Sequence, residues 1–411
     1  MIEIVAKLVR EQTPAFLCGE VVECFIDFSN PAQAQHRVSQ SNSDTHENLA
    51  WASVQIHCYL NSTSHREKGS DLQIAELTKV ANTSLGTASK QSGDVFHSTK
   101  PKILFCDLRL SSGETKSYLY RETLPINGPP TYRGHGIKYF YRITIATQRV
   151  KSKVHILSVP IRVLPLPAVV RPEEVPALCN DTNEELAPTN PFLENYNTQS
   201  EVEVSWHHLQ NITARRLPKF YRISNKRGHV GRFCIFKHAY KLGEDIVGTL
   251  DFSNRSVRCC QLSVTLQSEE ILHKNRKNSQ SSGIDPTNTN SNNTNQENAP
   301  SSSDVVGKLT NHTKYHEVCL GMMQTQIIIP IPLFVTPSFS TDLVDVRWRL
   351  HFEFVTSADI DFGSADHSAE DWRAPDDIPI ETMVWNLPVT LYPTAPLQIF
   401  QPCGSYSLVI K

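Results

Sequence analysis

The sequence lacks the local patterns that announce bond chemistry. No Gly-x-x-x-x-Gly-Lys-Ser/Thr run and no Gly-x-Gly-x-x-Gly run occurs in its 411 residues, so no loop of backbone N–H groups is set up to cradle a phosphate. No Gly-x-Ser-x-Gly elbow presents a nucleophilic serine. No Cys-x-x-Cys pair exists among the ten cysteines. His207 and His208 are adjacent, a spacing that points the two rings apart, and His316 with Cys319 supplies only two ligands. A structural zinc site needs four, so neither a metal nor a cofactor is expected, and no catalytic residue stands out. No run approaches the roughly 20 apolar residues of a membrane-spanning helix. The first residues, with Glu3, Lys7 and Arg10, do not read as a secretion signal. Ile2 stands where myristoylation needs glycine, and the last four residues hold no cysteine for prenylation. The formal net charge is −2, with 40 Lys+Arg against 42 Asp+Glu. Bulk charge therefore gives no reason to expect a nucleic-acid partner.

What is present is repetition. Residues 19–30 read GEVVECFIDFSN and residues 243–254 read GEDIVGTLDFSN, with six of twelve positions identical at an offset of 224. In the first copy Val22, Cys24, Ile26 and Phe28 share a face; in the second, Ile246, Gly248, Leu250 and Phe252 do. A period of two with one apolar side is a half-buried strand. A second pair follows at an offset of 207: Tyr139, Tyr141, Ile143 and Ile145 against Val346, Trp348, Leu350 and Phe352. The segments just before them match without a gap, Pro125, Pro130, Thr131 and Tyr132 against Pro332, Pro337, Ser338 and Phe339. A third pair, PIRVLP at 160–165 and PVTLYP at 388–393, closes each unit at an offset of 228. Three collinear matches in the same strand phase predict two homologous all-β domains, each a pair of packed sheets. Ala52, Val54, Ile56, Cys58 and Leu60, and again Leu262, Val264 and Leu266, add further alternating strands. The spacing of Ile74, Leu77 and Val80 after Asp71 predicts one short helix over 71–81.

These boundaries give a first β-sandwich at 1–165, a linker at 166–215, a second β-sandwich at 216–396 and a tail at 397–411. The linker loses alternation and gains Pro, Glu and Asn. The Asn/Ser-rich tract 275–303 has too little apolar surface to offset ordering entropy, so it is expected as a disordered loop of the second domain. Residues 31–48 and 61–99 read as loops of the first. Residues 358–379 form an acidic loop with Asp359, Asp361, Asp366, Glu370, Asp371, Asp376 and Asp377. The cysteines mostly sit in apolar runs and are expected as buried free thiols of a reducing compartment, Cys106 in ILFCDL among them.

One charge feature interrupts the balance. Between 215 and 241 lie nine basic residues and no acid: Arg215, Arg216, Lys219, Arg222, Lys226, Arg227, Arg232, Lys237 and Lys241. Phe220, Tyr221, Ile223, Phe233, Ile235 and Phe236 are interleaved with them. The plain reading is an edge strand and turn with solvated basic positions. The sharper one is a surface for an anionic lipid or an acidic partner. Arg347, Arg349, His351 and Glu353 fall on the outward side of their strand and read as a solvated sheet face.

A doubled β-sandwich with a Gly-Glu turn before a first strand resembles the arrestins. More closely, PKILFCDLRL at 101–110, LPINGPP at 124–130, RGHVGRFCIFK at 227–237, YKLGEDIVGTL at 240–250 and WRLHFEFVTS at 348–357 resemble the reduced-growth-phenotype (Rgp) family. That resemblance runs from residue 1 to about 393, apart from the low-complexity loops. It implies two arrestin-like domains in the smaller, non-catalytic subunit of a heterodimer with a large Ric-type β-propeller subunit. The heterodimer would exchange nucleotide on a Rab GTPase of the Rab-six class. It implies a cytosolic protein held peripherally at the Golgi membrane, serving endosome-to-Golgi and intra-Golgi vesicle traffic. The alternative is an arrestin-like cargo or sorting adaptor without exchange function.

Overall fold

The computed structural model describes residues 1–31, 46–62, 93–167, 201–273, 307–357 and 379–410. The expected helix over 71–81, the tract 275–303, the acidic loop up to 378 and Cys179 lie outside the described residues. The chain divides into two compact units. The first comprises Met1–Arg133, Ile137–Arg215 and Tyr392–Lys411; the second comprises Gly134–Gly136 and Arg216–Leu391. Both are built almost wholly of strands, so the chain is all-β with two sandwich-like bodies in tandem.

The first unit has strands β1 (Ile2–Leu8), β2 (Ala15–Leu17), β3 (Val21–Ser29), β4 (Glu47–Ser62), β5 (Asp94–Ser98), β6 (Lys102–Leu110), β7 (Thr115–Thr123), β8 (Tyr132–Arg133), β9 (Ile137–Gln148) and β10 (Val154–Leu164). One sheet runs β1-β3-β7 and the other β2-β10-β9-β4-β5, with β6 beside β4 and β8 beside β9. The second unit has β11 (Lys219–Asn225), β12 (Gly228–Ile235), β13 (Ala239–Lys241), β14 (Asp245–Asp251), β15 (Arg258–Leu272), β16 (Gly307–Val318), β17 (Gln324–Pro330), β18 (Phe339–Ser340), β19 (Val344–Ser357) and β20 (Ile380–Tyr392). Its sheets run β11-β12-β14-β17 and β13-β20-β19-β15-β16, with β18 beside β19.

The two plans share their strand order, although the first unit's larger sheet has seven strands and the second's six. β3 and β14, which carry the first sequence match, each sit second from the end in a four-stranded sheet. β9 and β19, which carry the second, are each the middle strand of the larger sheet, and β10 and β20 lie next to them. Inward residues follow the predicted phase. Val22, Cys24, Ile26 and Phe28 are fully buried, as are Tyr139, Tyr141, Ile143 and Ile145. In the second unit Ile246, Leu250 and Phe252 point inward, with Trp348, Leu350, Phe352 and Phe354 from the facing sheet. Phe233 of β12 and Phe352 of β19 meet edge to face across that gap, 4.9 Å between ring centres.

The Gly-Glu signature has a common cause in both units. Gly19 and Gly243 adopt φ of +80° and +82°, a region open to glycine and costly for other residues. A Cβ on Gly19 would lie 2.6 Å from Ile126 Cγ1, and one on Gly243 2.7 Å from Leu333 Cδ2. The glutamate that follows folds back over the turn. Glu20 Oε2 accepts the Leu17 amide at 2.8 Å, and Glu244 Oε2 accepts the Lys241 amide at 3.1 Å. A cation completes each, Arg10 at Glu20 and Lys237 at Glu244.

Five features depart from the sequence reading. The stretches read as loops at 31–48 and 61–99 contain the start of β4 at Glu47 and all of β5, which pairs with β4. Residues expected as a tail form strand β21 (Tyr406–Ile410), which pairs antiparallel with β1 from Ile2↔Ile410 to Ala6↔Tyr406. The first unit's small sheet is thus β21-β1-β3-β7, closed by the far end of the chain. The end of the expected linker is helix α1 (Glu201–Ala214). Its Val202 and Trp206 pack on Ala15, Leu17, Leu164 and Ile399 of the first unit. Strands β4 and β15 are buried on both faces. Gln55 and His57 are wholly inaccessible and Ser53 nearly so, because polar neighbours cover them: His57 Nδ1 lies 2.9 Å from Thr144 Oγ1, and Gln55 donates to the Thr99 carbonyl. Cys106, expected in the core, is exposed. It lies on β6, a strand appended to β4 with a register break at Ala52/Ser53, and its neighbour Ile103 is 68 % exposed. Cys18, Cys24, Cys58, Cys234, Cys259 and Cys319 are buried free thiols, and Cys260 and Cys403 are half-buried.

Candidate interaction surface

The basic run folds into the hairpin β11–β12 and the chain on either side of it. The hairpin turns at Lys226-Arg227, where Asn225 Oδ1 accepts the amides of Arg227 and Gly228 at 2.9 and 3.1 Å. Such a side-chain-closed turn is the usual reason for asparagine at this position. Tyr221 and Ile223 point between the sheets, while Phe220, Arg222 and Ser224 point outward. Eight of the nine predicted basic residues belong to the second unit, spread from Arg216 over β11, its turn, β12 and the chain through β13, while Arg215 ends the first unit.

Their electrostatic states differ. Lys237 and Lys241 are half-buried and both serve Glu244, at 2.9 and 3.8 Å. Arg227 reaches Glu381 at 3.4 Å and Arg232 reaches Asp251 at 3.5 Å. Asp251 is held below the usual carboxylate range, first by the Ser253 hydroxyl and amide and then by Arg232. Arg232 also lies over the Phe220 ring, 5.0 Å from its centre. Arg215, Arg216, Lys219, Arg222 and Lys226 have no acidic partner among the described residues, and all five are exposed. Leu217 and Phe220 stand among them at 67 % and 58 % exposure.

β11 is the end strand of its sheet, so one side of its backbone has no ladder partner among the described residues. Inside that edge lies a mouth between the two sheets of the second unit, a cavity of about 390 Å³ lined by Lys219, Tyr221, His238, Trp385 and Leu387. Tyr221 and Trp385 have ring centres 5.1 Å apart. His238 Nε2 is buried there with no hydrogen-bond partner among the described residues. Burial, helped by the nearby Lys219 ammonium, pulls its pKa below the ordinary histidine value. On the outward face a groove of about 380 Å³ runs over Phe220, Arg232, Cys234, Thr249 and Gln326.

The other sequence candidates disperse. Arg347, Arg349, His351 and Glu353 lie on the outer face of β19 and are tied into polar pairs: Arg347 with Asp345 at 3.1 Å, Arg349 with Gln267 at 3.0 Å, His351 with Asn386 at 2.8 Å and with Glu353 at 3.3 Å. His207 and His208 are exposed on α1, and His316 is exposed whereas Cys319 is buried. Among the described residues no group of three or more His, Cys, Asp or Glu side chains could hold a metal ion. No described helix is long and apolar enough to cross a membrane. Sequence reasoning missed the mouth beside β11. Trp385 flanks it from a strand distant in the chain and His238 from the bend between β12 and β13, and only the alternation Met383, Trp385, Leu387 hinted at an inward row.

A family model described as Rgp1 matches residues 35–169 and 171–357. Among curated proteins, "RAB6A-GEF complex partner protein 2" of Homo sapiens is 38% identical over 409 residues, covering 96% of each chain. The protein of the same name from Bos taurus is 38% identical over 402 residues, covering 95% of this chain and 93% of its own. The matches span both β-units, so the chain belongs to the Rgp1 family.

Proposed function

We propose that this chain is the non-catalytic, arrestin-like subunit of a heterodimeric guanine nucleotide exchange factor for a Rab GTPase of the Rab-six class. The observation that carries the proposal is the 38% identity to a RAB6A-GEF complex partner protein along 96% of both chains. In this reading the other subunit is a large Ric-type β-propeller protein. The complex works peripherally at the Golgi membrane, from the cytosol, in vesicle traffic.

The physics of exchange suits such a chain. No covalent bond is made or broken. An exchange factor binds the nucleotide-free GTPase more tightly than the loaded one, and nucleotide affinity falls reciprocally. What the factor needs is a rigid surface, and paired sheets with buried aromatic rows such as Phe233, Phe352 and Phe354 provide one.

The test is co-purification of the tagged chain at native level, followed by nucleotide-release assays on the recovered complex and on the isolated chain. Release accelerated by the complex alone supports the reading. Acceleration by the isolated chain, or recovery of sorting-coat components without an exchange partner, overturns it.

A further inference from the structure

We propose that the free edge of β11 is a docking site for an extended segment of a partner protein in which acidic residues alternate with apolar ones. Three observations converge. First, Lys219–Asn225 ends its sheet, so alternate backbone N–H and C=O groups of the strand face outward without ladder partners among the described residues, as on an unprotected sheet edge. Second, a strand added beside β11 has side chains on two faces, and β11 offers each a different surface. One face meets the mouth, where Tyr221, Trp385 and Leu387 offer apolar surface beside Lys219, His238 and Asn386, which suits apolar side chains flanked by a polar one. The other face meets Arg222 and Phe220, with Arg232 behind them opposite Arg222 in the ladder. Third, Arg222 on the outward face and Lys226 in the turn have no acidic partners among the described residues, while Lys219 lies on the other face, over the Tyr221 ring. Charge therefore selects acidic residues for the outward face of the incoming strand.

The same features disfavour a lipid surface as the occupant. Leu217 and Phe220 project among the cations, but headgroups would not satisfy the row of backbone groups, and Tyr221 and Trp385 are recessed. This inference does not depend on exchange activity. It is tested on the full chain alone, so its failure leaves the proposed function untouched.

The experiment is fluorescence anisotropy with a labelled peptide alternating Glu and Val. Two comparison peptides are used: one of the same composition with the glutamates and valines in separate blocks, and one N-methylated at alternate residues so that it cannot extend a ladder. The alternating peptide is expected to bind, and both comparison peptides to bind at least about tenfold more weakly. The double substitution Lys219→Glu/Arg222→Glu is expected to weaken binding by a similar factor, while Lys151→Glu, an exposed position on the first unit, leaves it unchanged. Failure of the alternating peptide to bind overturns the proposal, as does N-methylated or blocked peptide binding within about twofold of it. Capture by phosphatidylserine vesicles without peptide binding assigns the edge to a membrane instead. A dimer dispersed by Arg222→Glu, again without peptide binding, assigns it to a second copy of the chain.

Discussion

The Lys237 ammonium lies 2.9 Å from the Glu244 carboxylate, which at the same time accepts the Lys241 amide at 3.1 Å. Arg10 and Glu20 hold the matching place in the first unit, 224 positions earlier for the glutamate. The pair is a turn lock: one carboxylate closes the backbone and recruits a cation. Glu244→Ala is expected to cost about 1–3 kcal/mol, the usual loss when a charged acceptor leaves a partly buried donor unpaired. Gly243→Ala is expected to cost about as much, through strain at positive φ and the approach to Leu333. Thermal denaturation of the full chain, compared with Glu20→Ala and Gly19→Ala, measures both. Equal melting of wild type and variants would remove the turn lock as a source of stability.

Strand β21 is predicted to hold the first unit's small sheet closed. Ile410 is fully buried and Leu408 half-buried against β1. Ending the chain at residue 405 uncovers the β1 edge, a row of unpaired backbone groups above the apolar side chains Ile2 and Ile4. Hydrogen exchange at Ile2–Ala6 should accelerate well beyond that at β19 of the second unit, and the truncated chain should aggregate more readily. Unchanged protection of β1 would show that β21 contributes nothing to it.

Phe233 bridges the second unit's sheets, 4.9 Å from Phe352 and 6.0 Å from Trp385 by ring centres. Phe233→Ala is expected to destabilise that unit by about 3–5 kcal/mol, from lost transfer energy plus the cavity left behind. Phe220→Ala, at an exposed site on the neighbouring strand, should change stability by no more than about 0.5 kcal/mol. Paired denaturant titrations read the contrast.

His57 gives the first unit a pH dependence of known sign. Burial in the β4 row pushes its pKa from 6.5 down to about 4. The unfolded chain therefore binds the proton more readily than the folded one. Stability from this site is fully present above about pH 6.5 and falls as pH drops toward 4. His57→Gln should flatten that loss while keeping a group able to hydrogen-bond Thr144. A melting-temperature profile between these pH values that is identical in both proteins would count against the assignment.

Much of this architecture was readable from side-chain alternation. The matched rows at Val22–Phe28 and Ile246–Phe252 predicted the inward faces of β3 and β14, because a strand's period of two is a property of the local chain. The same kind of signal was present elsewhere and did not suffice. Val202, Trp206 and Leu209 have helical spacing, yet their Pro- and Asn-rich surroundings read as linker. Tyr406, Leu408 and Ile410 alternate, yet five residues at a chain end carry no mark of the strand they will join. Cys106 had apolar neighbours but sits on an appended strand, where apolar character does not bring burial.

The candidate surface divides in the same way. Its nine cations and interleaved aromatics are local facts of residues 215–241, and the Gly-Glu turns follow from what glycine and glutamate can do within a few residues. By itself, then, the sequence determined which side chains could face inward, where the chain turns sharply, and which stretch carries uncompensated positive charge. Only the tertiary structure decided that β11 ends its sheet, that Tyr221, His238 and Trp385 line one mouth, and that β21 returns to pair with β1. Strand pairing is chosen by the fit of whole faces far apart in the chain. No short window contains both partners, and whether an edge stays open depends on which strand arrives beside it.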